Sequence, residues 1–234
     1  MFSASVNETQ QKIVFFKERT VGDQTSAKMT DQLLIHLAAE AARLAGLGFM
    51  ACTAGTVSVL LEREPWVVAM SPSGMDKGQL KPSDFIKVGS DAKPFLPDTR
   101  KPSDEALLHV RIYQATGSQA VCHGHPPHVT ALSLGGECAL VCRGIEMQKA
   151  FAGTVTHADE RRIPIVENSQ DMEELAASVL AARQIAVPAV IVRGHGVYAW
   201  GGSIREASRH LETVEWLSRI LWLCRVGGIA VPGK

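Results

Sequence analysis

No run of this sequence approaches the roughly 18 uninterrupted apolar residues that a membrane-spanning helix needs. No basic leader followed by an apolar stretch opens it either: MFSASVNETQQKIVFFKERT turns polar after two residues and stays mixed. A cytoplasmic protein with no membrane partner is therefore expected. Charge of one sign is not in excess, because 24 Lys and Arg balance 24 Asp and Glu, and no nucleic-acid partner is expected. Cysteine is scarce. Cys52, Cys122, Cys138, Cys142 and Cys224 are odd in number and lack a CxxC pair, which argues against a disulfide framework and for ordinary buried thiols. Also missing are a Walker sequence, a dominant repeat and a regular βαβ rhythm.

What is present reads as one globular domain. The 234 residues suffice for one sizeable core; residues 1–27 are set apart as an N-terminal extension or leading helix, and 28–234 as the domain itself. From Lys28, KMTDQLLIHLAAEAARLAGLGFM repeats apolar residues at helical spacing and offers Gly46 and Gly48 as terminators. GTVSVLLE and PWVVAMS read as a hairpin around a charged turn at Glu62 to Glu64. The stretch after them, dense in Gly, Pro, Ser and Asp, is loop with one short strand at DFIKV. Ser103 is placed to cap a helix over DEALLHVRIYQATG that Gly117 ends. IPIV and PAVIVRG are strand candidates, and two further helices open with capping-box spacing, Asp171 with Glu174 and Ser203 with Glu206. This mixture predicts an α/β layered domain whose sheet contains antiparallel pairs.

The chemistry concentrates in AVCHGHPPH, residues 120–128. On a strand, the period of two puts His123 and His125 on one face, and Gly124 removes bulk from the other. Pro126 and Pro127 end the strand, where a pocket can open. In VIVRGHGVYAWGG, His195 follows an apolar strand between Gly194 and Gly196, which makes it the best third ligand. Three imidazoles and an open position form a catalytic zinc arrangement, whereas a closed structural site recruits four ligands and more thiolates. The alternative is that His123 and His125 satisfy hydrogen bonds near a sheet edge and His195 merely occupies a turn. His128 reads as a surface or supporting residue, His157 as surface, and His36, His109 and His210 as packed or solvated helix residues.

Two carboxylates could move a proton beside such a metal: Glu146, in LVCRGIEMQKAFAG, and Glu105, which opens the helix before the histidine strand. Two small-residue loops could surround a phosphate. TAGTVS offers Gly55, Thr56 and Ser58; SPSGMDKG offers Ser71, Ser73, Gly74, Lys77 and Gly78. Each loop is equally an ordinary turn.

Five stretches carry a resemblance: SPSGMDKGQLKPSDF, RKPSDEALLHVRIYQATG, AVCHGH, EMQKAFAG followed by THADE, and VRGHGVYAWGGSIREASRHLETVEWL. Over roughly residues 30 to 225 the chain resembles the class II aldolase/adducin-type family, most closely its methylthioribulose-1-phosphate dehydratase branch. The resemblance implies a three-layer αβα fold with a central, largely antiparallel sheet. It makes residues 28–234 a single zinc-binding domain and the protein a homotetramer with active sites near subunit boundaries. His123, His125 and His195 would hold Zn2+, Glu146 would be the acid/base, and Gly55, Thr56, Ser58, Ser73 and Gly74 fall on the phosphate loops. Related proteins commonly have Asn at the place of Thr56. The implied reaction converts 5-methylthioribulose 1-phosphate to 5-methylthio-2,3-dioxopentyl phosphate and water in methionine salvage, without nicotinamide or flavin. The alternatives are a zinc-dependent sugar-phosphate aldolase, with Glu105 matching the carboxylate of the aldolases' Pro-Ser-x-Glu motif, and a non-enzymatic adducin-like scaffold.

Overall fold

The computed structural model describes residues 22–96, 98 and 100–230. Most of the expected 1–27 extension lies outside the described residues. The first helix, α1 (Gly22–Gly46), begins before Lys28 and stops at the expected glycine. Strands β1 (Thr56–Arg63) and β2 (Trp66–Met70) form the expected hairpin. Its turn is shifted, because β1 runs on through Arg63 and Arg63 pairs with Trp66. The remaining elements are β3 (Ile86–Val88), α2 (Ala106–Thr116), β4 (Ala120–Gly124), α3 (Pro127–Ser133), β5 (Ala139–Cys142), β6 (Arg161–Val166), α4 (Met172–Ala182), β7 (Ala189–Val192), β8 (Gly196–Gly201) and α5 (Ile204–Val226).

The strands form one sheet in the order β3-β2-β1-β4-β8-β7-β6-β5. Neighbours are antiparallel throughout except β6 and β7, which run parallel. Because side chains alternate, the central strands feed two cores. Ala120 and Cys122 of β4 join one core with Leu37 and Leu44 of α1, Val129 of α3 and Leu211 and Val214 of α5. Val121 joins the other with Leu108 and Ile112 of α2 and Leu175 and Val179 of α4. Helices on both faces of a mostly antiparallel sheet make the three-layer αβα arrangement. β4 and β8 lie in the middle of the sheet, where a residue at a strand end is held from both sides.

Three local expectations need correction. Ser103 is not the helix cap: α2 starts at Ala106, and the Ser103 hydroxyl instead accepts from the Glu105 amide at 3.3 Å. His125 is not on the histidine strand: β4 stops at Gly124, and Pro127 then opens a helix, whose first turn needs no proline N–H. The strand at DFIKV shrinks to its last three residues, Ile86–Val88.

Candidate active site

The sheet delivers the histidines. His123 is paired across β4 with Tyr198 of β8 and with Thr56 of β1. Its ring stacks on the Tyr198 ring at 4.0 Å, with 19° between planes. Gly124 faces the opposite core, where a Cβ would lie 3.0 Å from the Phe49 carbonyl and 3.4 Å from Leu211. His125 is fixed as its amide donates to that same Phe49 carbonyl at 2.7 Å. The glycines around His195 have separate reasons. Gly194 has φ +65, which L side chains rarely adopt, and a Cβ on Gly196 would collide with the Gly124 carbonyl.

Three imidazoles and one carboxylate converge. His123 Nε2 lies 2.7 Å from His125 Nε2, and Glu105 Oε1 lies 3.2 Å from both His123 Nε2 and His195 Nε2. One ligand atom from each of the four falls within 4.8 Å of the others. His123 Nδ1 lies 3.1 Å from the Val197 carbonyl. As the donor there, Nδ1 carries the ring proton and turns a lone pair on Nε2 inward, as metal-ligating histidines do. Facing lone pairs repel, and a cation between them removes the repulsion. The donor set therefore fits a divalent metal of the borderline class, and it is a candidate metal-binding cluster.

Burial pushes the Glu105 pKa up, but in the metal-free cluster His123 and His195, with ring N–H groups rather than lone pairs turned to it, outweigh this and hold the carboxyl well below its ordinary range. Burial, then the neighbouring His123 and His195, lower His125 to about 4, so it enters the cluster as a neutral donor. Beneath His123 lies a second buried polar group. Ser58 Oγ is 2.7 Å from His109 Nδ1 and 2.8 Å from the Tyr113 hydroxyl, while His109 Nε2 and the Tyr198 hydroxyl are buried without a hydrogen-bond partner among the described residues. Burial lowers His109 to about 3. An unfolded histidine titrates near 6.5, so between there and about 3 the unfolded chain binds a proton that the native state refuses. Metal-free protein is thus expected to lose stability on acidification through that window. His109→Gln should flatten the slope by up to about 1.4 kcal/mol per pH unit in urea titrations.

The two small-residue loops meet. Gly55, Thr56, Ser73 and Gly74 line one cleft of about 170 Å³ together with Lys77, Ser103, Glu105 and His125. Gly55 and Gly74 have positive φ, and a Cβ at Gly55 would come within 2.9 Å of the His123 carbonyl. The Thr56 hydroxyl donates to Ser103 Oγ at 2.7 Å. Ser58, also expected on the phosphate loops, is not brought to the cleft; its hydroxyl is turned onto His109 and Tyr113. Ser58→Ala is accordingly expected to lower stability by about 1–3 kcal/mol, the scale for a buried partner left unsatisfied. A lower denaturation midpoint with unchanged phosphate affinity checks this placement.

The profile of the class II aldolase and adducin N-terminal domain matches residues 35–222. The chain belongs to this family. It is 42% identical over 175 residues, 73% of this chain and 84% of the relative, to the methylthioribulose-1-phosphate dehydratase of Serratia proteamaculans (strain 568). Against the enzyme of the same name from Acidiphilium cryptum (strain JF-5), identity is 36% over 183 residues, 77% of this chain and 85% of the relative. In fold it is similar to the L-fuculose-1-phosphate aldolase of Thermus thermophilus, with a TM-score of 0.68 and 24% identity over 86% of this chain and 97% of that one.

In this class II aldolase-type chain, Glu146 stands apart from the cluster. It opens a single 3₁₀ turn, Glu146–Ala150, fully exposed, with Oε1 2.9 Å from Lys149 Nζ and Oε2 3.4 Å from His157 Nδ1. The Lys149 hydrogen bond chiefly lowers its pKa. The turn follows β5, the edge strand, four strand steps from β4 and so about 19 Å across the sheet. It packs against α5, in the layer opposite the His123 ring. His128 is outside the cluster too: Nδ1 lies 2.6 Å from Glu215 of α5, whose other oxygen accepts from the Val129 amide at 3.0 Å. Sequence reasoning missed Tyr198, which backs His123. Its place on the strand after His195 was the available signal. Glu105 was weighed only as an alternative base, although its spacing of four from His109 put both on the helix face turned to β4.

Proposed function

We propose that the protein is a zinc-dependent dehydratase acting on 5-methylthioribulose 1-phosphate. The observation that carries this reading is the kinship, at 36–42% identity, to proteins bearing that activity's name, in a chain that keeps His123, His125, His195, Glu105 and Glu146. His123, His125 and His195 would hold the metal, with Glu105 beside them. Zinc rather than iron is proposed because elimination of water needs no change of oxidation state and three imidazoles suit a catalytic zinc. When bound, the ion supplies Lewis-acid polarisation of the substrate's oxygens.

The residues of the chain do the rest. Gly55, Thr56, Ser73 and Gly74 receive the phosphate in the cleft, which sets the sugar carbons against His125 and Glu105. Glu146, an exposed carboxylate whose pKa the Lys149 hydrogen bond lowers further, removes the C3 proton. The C4 hydroxyl then leaves as water, taking that proton, and the resulting C3 enol becomes the 2,3-diketone as its proton moves to C4. Because Glu146 stands outside the cluster of its own chain, it is assigned to the cluster of a neighbouring protomer, in a homotetramer with active sites near subunit boundaries. An assay of zinc-loaded protein with mass-resolved products tests the reading: a single product lighter by one water supports it. Two carbonyl fragments would establish the aldolase reading, which the placement of Glu105 against His123 and His195 favours.

A further inference from the structure

Lys77 is a buried cation that the metal cluster does not use. Its side chain is 2% exposed, yet its residue lines the cleft with Gly55, Thr56, Ser73 and Gly74. Nζ donates to the carbonyls of Thr53 at 2.7 Å and Met75 at 3.0 Å. An ammonium has three N–H donors, so these carbonyls leave one over. Among the described residues no carboxylate lies within ion-pairing distance of Nζ. Burial lowers its pKa, against the more distant pull of Glu105 and then of Asp76. A buried charge without a counter-charge at ion-pair distance is costly, and an anion entering the cleft offsets that cost.

The two carbonyls also fix where the charge stands. Thr53 has φ +61 and lies two residues before Gly55; Met75 directly follows Gly74. Lys77 thus ties the two glycine loops together from within, with its charge held between them. Backbone N–H groups of glycines in the left-handed region and the hydroxyl of Ser73 supply neutral donors, but a doubly charged phosphate calls for a cation as well.

We propose that Lys77 is the phosphate-binding cation of this cleft, giving its remaining N–H and its charge to the phosphate monoester of the substrate. The inference rests on the phosphorylated-substrate reading above. It adds the residue by which the protein distinguishes a sugar phosphate from the free sugar, while His125 and Glu105 border the same cleft where the sugar would lie.

Titration of metal-loaded parent, Lys77→Gln and Lys77→Arg with inorganic phosphate, followed by calorimetry, tests it without turnover. Lys77→Gln should bind phosphate about 10–100-fold more weakly, the scale of one hydrogen bond between charged groups. Lys77→Arg, which keeps the charge, should recover most of that affinity, and metal content should be unaltered in both. With the phosphorylated sugar, KM should rise in Lys77→Gln by more than kcat falls. Equal phosphate affinity in Lys77→Gln and parent, or equal losses in the Arg and Gln variants, overturns the proposal and leaves Lys77 as a strut between loops. Should Lys77→Gln fail to fold, a crystal structure of the parent soaked in phosphate decides: a phosphate oxygen within hydrogen-bond distance of Nζ supports the assignment, and phosphate elsewhere or unbound overturns it. Phosphate held through Lys77 by a chain that does not dehydrate would defeat the dehydratase reading alone; dehydration with Lys77 idle would defeat this inference alone.

Discussion

Alanine introduced singly at His123, His125 or His195 is expected to strip the protein of bound zinc and of activity, whereas alanine at His128 leaves the metal in place. Each of the three rings contributes a nitrogen to the group that converges within 4.8 Å. Loss of a partner one shell out already lowers metal affinity by about 10–100-fold, so loss of a ligand should exceed that. His128 instead joins α3 to α5 through Glu215, and its replacement should show in stability rather than in zinc content. Zinc measured on dialysed, folded preparations checks the set; parent-level zinc in all three ligand variants would sink the assignment. Chelated protein that regains activity with zinc but not with ferrous iron would settle which ion works.

The legible part of the site was the part that period and glycine control. Alternation along AVCHGH predicts His123 and His125 on one face and Gly124 on the other; His123 and Gly124 do face opposite ways, with Phe49 and Leu211 excluding a side chain at Gly124, while His125 lies one residue past the end of β4. Gly194 and Gly196 announced the close turn at His195 for the same reason. The fold class was legible from mixed elements without βαβ rhythm, but β8 was not separated from the turn before it. Its six residues are buried on both faces and bounded by glycine, so no polar alternation marks it as a strand. Ser58 shows where local chemistry misleads. A serine two residues beyond Thr56 in a small-residue loop suggested anion binding, yet the strand begins at Thr56, and pairing with β2 and β4 carries the hydroxyl to His109. Lys77 was legible as a member of the SPSGMDKG loop that could surround an anion, but not its burial between two carbonyls, which depends on loops brought together by the hairpin and the cleft.

Glu146→Gln is expected to lower turnover by about 10²–10⁴-fold, the usual contribution of general acid–base catalysis, while zinc content and fold persist. Glu146 is fully exposed, and its interactions shown here are confined to Lys149 and His157, so the substitution takes away a proton carrier without disturbing a core. Glu105→Gln is a different experiment. Glu105 Oε1 faces both His123 and His195 at 3.2 Å, and exchanging it for an amide removes negative charge from the cluster, so zinc affinity should fall along with rate. The two variants are thereby separable by metal analysis on the same preparations used for product mass. Placement adds a sharper test. β5 lies four strand steps from β4, so Glu146 should work on a neighbouring protomer, and inactive Glu146→Gln protein mixed with inactive His123→Ala protein, dissociated and reassembled, should regain activity by combining one intact cluster with one intact carboxylate. Dehydration at near-parent rate by Glu146→Gln would reject its role as proton carrier. Mixed assemblies that stay inactive would place the carboxylate and the cluster it serves in one subunit, and cleavage of the parent's substrate into two carbonyl fragments, abolished in Glu105→Gln, would transfer the proton to Glu105 and the chemistry to aldol cleavage.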